Sequence, residues 1–197
     1  MKKVLALMGS PRIKKNTDIL LDWVLKGIED KRYEINKIYI KEENILPCRG
    51  CNYCGSTGEC VIKDDMEKLY NKFDSGDIFI LASPLYFNSV SGITKNLIDR
   101  CQRYWSIKYK LGEDYKRHFE RKGIFLAVGG AKYSHDHFSH AIPTIDLFFK
   151  AINADYVGNY LVSDTDTLPV WEREDIRDEL YEIGYNIGEI KNFYIHR

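Results

Sequence analysis

Short apolar runs alternate along the chain with amphipathic stretches, and this alternation limits the fold more than any other feature. Uninterrupted apolar runs are typical of strands that are covered on both faces, as in parallel sheets. Strands are predicted at residues 4–8, 77–83, 123–128 and 156–162, and near a sheet edge at residues 33–40. Helical spacing of apolar residues predicts helices at residues 19–28, 66–76, 92–105 and 142–152, and after Pro169. The pattern therefore predicts an open, mostly parallel sheet with helices on both faces.

The chain of 197 residues has no Gly-, Ser- or Pro-rich linker and no internal repeat, so we expect one domain over residues 1–197. Lys plus Arg and Asp plus Glu both total 29. This balance gives no general reason to expect a nucleic acid or a membrane surface as partner. The first residues are interpreted as a buried strand and not a signal peptide, because the apolar run is short. No segment approaches the ~18 apolar residues of a membrane span. We expect a cytoplasmic protein.

Four of the five cysteines lie close together with the spacing Cys-x2-Cys-x2-Cys-x5-Cys: Cys48, Cys51, Cys54 and Cys60. Iron–sulfur clusters are held by four thiolates, often from closely spaced Cys-x2-Cys runs. Zinc sites more often separate two cysteine pairs by a dozen or more residues, and bare thiols are a third alternative. The spacing favours a [4Fe-4S] cluster. The remaining Cys101 is interpreted as a core or interface residue.

The loop after the first strand is the first candidate for a ligand site, because ligands of such sheets bind at the carboxyl ends of the strands. Ser10, Asn16 and Thr17 can donate hydrogen bonds, and Arg12 can pair with phosphate oxygens. The start of the following helix favours an anion. The glycines of a Walker loop or dinucleotide fingerprint are missing. A capped turn with a solvated basic patch is the alternative.

Two further loops follow the third and fourth strands. The first consists of Pro84, Leu85, Tyr86, Phe87 and Asn88. Its proline is expected to end strand pairing, and its aromatic pair either lies against a flat conjugated ring or belongs to the core. In the second loop, Gly129 and Gly130 let the backbone come close to a ligand ring, or form a simple turn.

A run of histidines follows these glycines: His135, His137 and His140. Histidines with this spacing could bind a metal, but a polar loop or the start of a helix explains the pattern more simply. No acid–base or nucleophilic constellation is apparent, so no catalytic side chain is assigned.

Several motifs together resemble the flavodoxin-like NADPH-dependent FMN reductase superfamily. They are Gly-Ser-Pro-Arg at residues 9–12 with Asn16-Thr17, Pro-Leu-Tyr-Phe at residues 84–87, the helix of residues 91–100, and Gly129-Gly130. With the four cysteines and Cys-Val-Ile-Lys-Asp-Asp-Met at residues 60–66, the chain resembles an iron–sulfur flavoprotein of that superfamily. The resemblance covers residue 1 to about residue 165.

The resemblance implies a flavodoxin-like, doubly wound, five-stranded parallel sheet of order 2-1-3-4-5. It also implies bound FMN, with the phosphate at Ser10, Arg12, Asn16 and Thr17. The ribityl chain and ring would lie along residues 84–88 and Gly129-Gly130. The cysteines, in an insertion at about residues 45–63, would carry the [4Fe-4S] cluster.

The resemblance further implies an FMN-dependent electron-transfer oxidoreductase that exchanges electrons with a carrier such as ferredoxin or with NAD(P)H. It implies a homo-oligomer, either a dimer or a tetramer, with Tyr104 and Trp105 at the interface or in the core. Two alternatives stay open at this point. One is a cluster-free NAD(P)H-dependent FMN or quinone reductase, and the other is a non-enzymatic metal-binding or redox-sensing module.

Overall fold

A computed structural model describes residues 1–116, 119–134 and 136–197. Within them the chain forms one seven-stranded sheet, with β1 (Lys3–Met8), β2 (Glu34–Tyr39), β3 (Ile78–Tyr86), β4 (Ser89–Val90), β5 (Lys122–Val128), β6 (Asp155–Val162) and β7 (Phe193–His196). The order is β2-β1-β3-β5-β6-β7, and β4 pairs with β3. These strand pairs are parallel except for the antiparallel hairpin of β3 and β4.

Helices cover both faces of the sheet. They are α1 (Asn16–Glu29), α2 (Cys54–Thr57), α3 (Met66–Ser75), α4 (Gly92–Arg100), α5 (Gln102–Tyr109), α6 (Ile142–Ala151) and α7 (Glu174–Tyr185), with 3-10 turns at Ile40–Glu42 and Val170–Glu172. Alternate side chains of each strand point to opposite faces, so β1 sends Leu5 and Leu7 to one core and Ala6 and Met8 to the other. The first core is covered by α3, α4, α5 and α6, and the second by α1 and α7.

The expected flavodoxin-like α/β architecture with a parallel sheet and helices on both faces is confirmed, but the strand count of five is wrong. The five expected strands are present in the expected order as β2-β1-β3-β5-β6. The two additional strands are β4 and β7. β4 is a two-residue arm of a hairpin, and β7 is a short strand whose side chains alternate between half-buried and exposed. Neither carries the apolar run by which β1, β3, β5 and β6 were predicted.

Pro84 does not end strand pairing, contrary to the sequence-based expectation. β3 continues to Tyr86, and Pro84 lies opposite Val128 in the ladder with β5. Pairing of β3 with β1 stops at Ala82. At Pro84, β1 no longer pairs with β3, so a residue without an N–H can be accommodated on that side.

The single helix expected at residues 92–105 is also wrong, because the chain forms α4 and α5 with Cys101 between them. The Cys101 N–H bonds to the carbonyl of Ile98, three residues back, which tightens the turn. Cys101 is 2% exposed and belongs to the first core, as does Tyr104. Both are therefore core residues of the chain.

Candidate functional site

The first loop and the β3–β4 hairpin are joined at the carboxyl edge of the sheet by Ser91, the N-cap residue of α4. Its Oγ donates to the carbonyl of Gly9 over 2.5 Å, and its backbone N–H donates to Ser83 Oγ over 3.0 Å. Thr94 Oγ1 donates to the same Gly9 carbonyl over 3.2 Å. These bonds hold two of the three expected cofactor-binding segments side by side.

Asn16 joins the first loop to the third segment. Its Nδ2 donates to the carbonyl of Thr165 over 3.4 Å, and its Oδ1 accepts from the N–H of Val170 over 2.9 Å. Thr165 in turn donates to the carbonyl of Gly129, from its N–H over 3.1 Å and from its Oγ1 over 3.2 Å. All three expected segments therefore meet, and the side-chain amide of Asn16 is occupied by protein partners.

The first loop leads into α1 with unused hydrogen-bond donors. Within the described ranges, the backbone N–H groups of Asn16, Thr17 and Asp18 form no hydrogen bond, as is usual at the start of a helix. Ser10 is buried, and its Oγ accepts from the N–H of Arg12 over 3.1 Å. The side chain of Arg12 is exposed. A helix start with these neighbours is suited to a phosphate group.

The segment after β3 is a hairpin and not an open loop. Phe87 and Asn88 have positive φ angles of 50° and 57° between the paired residues Tyr86 and Ser89, which defines a two-residue type I′ turn. Phe87 is 105% exposed, and Tyr86 is also exposed. Pro84 is buried, and Leu85 packs against the first core. The tip therefore presents an aromatic ring to any molecule at this edge.

Gly129 and Gly130 are close to other protein groups. A Cβ at Gly129 would lie 3.1 Å from His137 Nε2, and one at Gly130 would meet the carboxylate of Asp166. His137 is 7% exposed, and its Nδ1 accepts from the N–H of Ser134 over 3.4 Å. Its Nε2 is buried and has no partner among the described residues. Sequence reasoning missed this contact, because only the fold brings His137 back to Gly129.

The expected histidine cluster is only partly placed. His140 is exposed, and His135 lies outside the described residues. Across residues 1–116, 119–134 and 136–197, no three side chains of His, Cys, Asp or Glu converge to hold a metal ion.

The four cysteines lie in the connection between β2 and α3. Cys48 and Cys51 are exposed, and Cys54 and Cys60 are half-buried. All four line one cavity of about 390 Å³, with α4 and the start of α5 forming part of its wall. Cys54 Sγ lies 3.4 Å from Ser106 Oγ of α5, close enough for a hydrogen bond. The structure thus brings the cysteines to one cavity, although their sulfur atoms do not converge on one point.

A buried ion pair lies behind this cavity. Arg100 Nη1 is 2.5 Å from Asp64 Oδ2, and both side chains have no exposed surface. Burial alone would raise the pKa of Asp64, but hydrogen bonds from Arg100 and from the N–H groups of Leu46 and Met66 hold this pKa below its ordinary value. The carboxylate is therefore charged at neutral pH.

Two solved structures with the same architecture are a quinone oxidoreductase and an azoreductase. An NAD(P)H:quinone oxidoreductase from Methanothermobacter marburgensis superposes with a TM-score of 0.72 at 13% identity, over 95% of this chain and 98% of that one. An FMN-dependent NADH-azoreductase from Bacillus anthracis in complex with FMN superposes with a TM-score of 0.64 at 11% identity, over 95% and 100%. At such low identity these similarities define the fold class alone, the flavodoxin-like α/β sheet.

The sequence pattern of the NADPH-dependent FMN reductase family matches residues 2–165, and the chain belongs to this family. An iron–sulfur flavoprotein of Archaeoglobus fulgidus is 36% identical over 67% of this chain and 64% of its own length. One from Methanosarcina thermophila is 30% identical over 66% and 64%. Another from Archaeoglobus fulgidus is 39% identical over 52% of this chain and 46% of its own length. These matches span about half to two thirds of the relatives, and they confirm the resemblance to iron–sulfur flavoproteins.

None of the helices in the described part of the chain is long and apolar enough to cross a membrane.

Proposed function

We propose that the chain binds FMN at the carboxyl edge of its sheet and acts as an FMN-dependent oxidoreductase. The main supporting observation is that hydrogen bonds formed by Ser91, Asn16 and Thr165 connect the three loops. The unused N–H donors of α1 and the exposed ring of Phe87 lie on these joined segments and support the proposal. Family membership supports FMN as the ligand.

The FMN phosphate is assigned to the start of α1. Ser10, Thr17 and the exposed guanidinium of Arg12 would bind its oxygens together with the free N–H groups. Asn16 would contribute its backbone N–H, because its side chain already bonds to Thr165 and Val170.

The ribityl chain and ring are assigned to the space between the hairpin and the glycines. Pro84, Leu85, Tyr86, Phe87 and Asn88 would line one side of this space. Gly129 and Gly130 would line the other. A flat conjugated ring suits the aromatic side of this space.

A [4Fe-4S] cluster held by Cys48, Cys51, Cys54 and Cys60 is the second part of the proposal. The supporting observation is that all four cysteines line one cavity, and thiolates are the ligands that iron–sulfur clusters require. The names of the similar iron–sulfur flavoproteins agree with it. Bound FMN accepts two electrons and can release them singly, whereas a cluster passes one at a time.

The electron donor is proposed to be a carrier such as ferredoxin, or NAD(P)H, in the cytoplasm. Within one chain, Arg100 at the cysteine cavity lies about 13 Å along α4 from Ser91 at the FMN loops, at 1.5 Å per helical residue. A homo-oligomer would bring the cysteine cavity of one subunit nearer to the FMN loops of another. One domain over residues 1–197, with the cysteine segment as an insertion, is part of the same proposal.

Absorption spectra with iron and sulfide assays on anaerobically purified protein test the proposal. Flavin bands with about four iron atoms per chain are expected for a [4Fe-4S] site. Flavin without iron after anaerobic reconstitution would favour the cluster-free NAD(P)H-dependent reductase. Absence of flavin would contradict both and leave a metal-binding or redox-sensing module.

The variant Cys51→Ser separates the two cofactor sites. We expect it to lose most of its iron and to keep its FMN, because the cysteine loop forms no hydrogen bond with the FMN-binding loops among the described residues. Iron by colorimetric assay and FMN by fluorescence after heat release give the two contents. Cys101→Ser is the matched control, since Cys101 lies in the core and outside the cysteine cavity. Loss of both cofactors from Cys51→Ser would show that the loop supports the flavin site.

A further inference from the structure

Arg100 closes the cysteine loop at both ends. Its Nη1 donates to the carbonyl of Leu46 over 2.9 Å, and its Nη2 donates to the carbonyl of Ile62 over 3.3 Å. Leu46 precedes the first cysteine by two residues, and Ile62 follows the last cysteine by two. Asp64 accepts from both nitrogens over 2.5 Å and 3.1 Å, which fixes the plane of the guanidinium. One buried side chain therefore sets the distance between the two ends of the loop.

Arg103, one turn further along the chain, contacts the second half of the same loop. Its Nε donates to the carbonyl of Gly58 over 2.8 Å, two residues before the last cysteine. Its guanidinium lies over the ring of Tyr70, 4.7 Å from the centroid, which restricts its orientation. Arg100 and Arg103 both line the cavity that contains the four cysteines.

The two guanidinium groups differ in charge balance. Arg100 is neutralised by Asp64, whereas Arg103 has no carboxylate partner among the described residues. In addition, Arg100 Nε is buried without a hydrogen-bond partner in the part of the chain that the structure describes. The wall of the cavity thus carries the positive charge of Arg103, which is unpaired among the described residues. This charge suits an anionic group in the cavity, as four thiolates with iron would be.

We propose that Arg100 and Arg103 are positioning residues of the cysteine site: Arg100 sets the shape of the loop, and Arg103 raises the reduction potential of the iron–sulfur group. The inference rests on the cluster of the proposed function. A nearby cation favours the reduced form of a centre because that form carries one more negative charge. Removal of the cation therefore makes reduction harder.

The pair Arg103→Gln and Arg103→Lys tests the charge. In the anaerobically reconstituted full-length protein, Arg103→Gln should retain iron and lower the equilibrium constant for one-electron reduction about tenfold, equivalent to about 59 mV. Arg103→Lys keeps the charge and should stay close to the wild type. The potential is measured by dithionite titration followed in the absorption spectrum. Lys26→Gln, a surface lysine of α1, is the control for an equal change of net charge.

The loop is tested without reference to iron by limited trypsin digestion after Arg49, an exposed residue between the first two cysteines. Arg100→Lys keeps a charge beside Asp64 but cannot reach both loop ends with one planar group. We expect cleavage after Arg49 to become several-fold faster than in the wild type and in Lys26→Gln. Unchanged cleavage in a folded Arg100→Lys variant would overturn the role of Arg100.

The outcomes separate this inference from the proposed function. Iron-loaded wild type with an unchanged potential in Arg103→Gln overturns the role of Arg103 and leaves the cluster in place. A wild type that takes up no iron overturns the cluster, and with it the effect on the potential. If Arg100→Lys does not fold, the Arg103 variants alone decide whether this wall acts on the cysteine site.

Discussion

At the scale of single residues, Asp64 connects stability with the cysteine loop. Its carboxylate accepts from the N–H groups of Leu46 over 2.9 Å and Met66 over 3.1 Å, in addition to the guanidinium of Arg100. Burying a charge is costly unless it is paired and hydrogen-bonded, and here each carboxylate oxygen has such partners. Loss of the charge would leave Arg100 buried and unpaired.

We therefore expect Asp64→Asn to lower the free energy of unfolding by about 3–5 kcal/mol near neutral pH. Because the folded pKa of Asp64 lies below the value of 3.8 for an unperturbed aspartate, its contribution is complete above that value. It is lost as the pH falls through the lower folded pKa. Urea unfolding at a series of pH values should show the wild type and variant converging in acid. A difference that stays constant down to acid pH would contradict this origin.

Phe87 carries a backbone conformation that disfavours its own side chain. A phenylalanine at φ 50° costs on the order of 1 kcal/mol, whereas asparagine tolerates this region. We expect Phe87→Asn to stabilise the hairpin by about that amount and to weaken FMN binding, since the exposed ring would be lost. Thermal unfolding and fluorescence titration with FMN measure the two effects. Phe119→Asn, at another exposed phenylalanine, is the control. FMN affinity equal to that of the wild type would show that Phe87 does not contact the ring.

At the scale of elements, the packing of α1 against α7 depends on two glycines. A Cβ at Gly184 would meet the backbone of Val24 in α1, and a Cβ at Gly27 would lie 2.7 Å from the backbone nitrogen of Tyr185 in α7. Backbone atoms cannot turn aside as a side chain can, so any added carbon forces the helices apart. This close approach covers the second core on its outer side.

We expect Gly184→Ala to reduce the free energy of unfolding by about 1–3 kcal/mol because of this overpacking. Gly92→Ala is the matched control, since a Cβ at Gly92 in α4 would have nothing within 4 Å. The control should be neutral or up to about 1 kcal/mol more stable, as alanine is the better helix former. Denaturant unfolding of the wild type and the two variants measures this difference. Equal stabilities of the two variants would contradict close packing between α1 and α7.

At the scale of the whole molecule, Trp105 of α5 and Leu147 of α6 flank a groove of about 380 Å³. Leu147 is 53% exposed, and Trp105 is half-buried. Tyr104 is excluded from any interface because it lies in the core. Of the two residues expected at a subunit interface, only Trp105 can therefore contact another subunit, and it would do so through this groove.

We expect light scattering after size-exclusion chromatography to give twice or four times the chain mass of 23.0 kDa. Leu147→Asp should lower this mass, because a charge would have to be buried between subunits. Tyr185→Asp, at an exposed residue of α7 on the other face of the sheet, should leave it unchanged. A monomeric wild type would contradict the proposed assembly.

The alternation of elements and the cysteine spacing were predictable from the sequence because they depend on local order. The segments that form β1, β3, β5 and β6 are apolar enough to be predicted as buried strands from the sequence. β7 could not be predicted, since its four residues alternate half-buried with exposed positions and are held by pairing with β6. The break at Cys101 depends on one turn of backbone that apolar spacing does not report.

The sequence by itself determined the class of sheet, the family and the residue types available for FMN and for a cluster. Only the tertiary structure decided which groups meet: Asn16 with Thr165, His137 with Gly129, and Arg100 with both ends of the cysteine loop. The physical reason is that propensity and periodicity act over a few neighbouring residues. Contacts between distant segments arise when burial and hydrogen bonding select one arrangement of the whole chain.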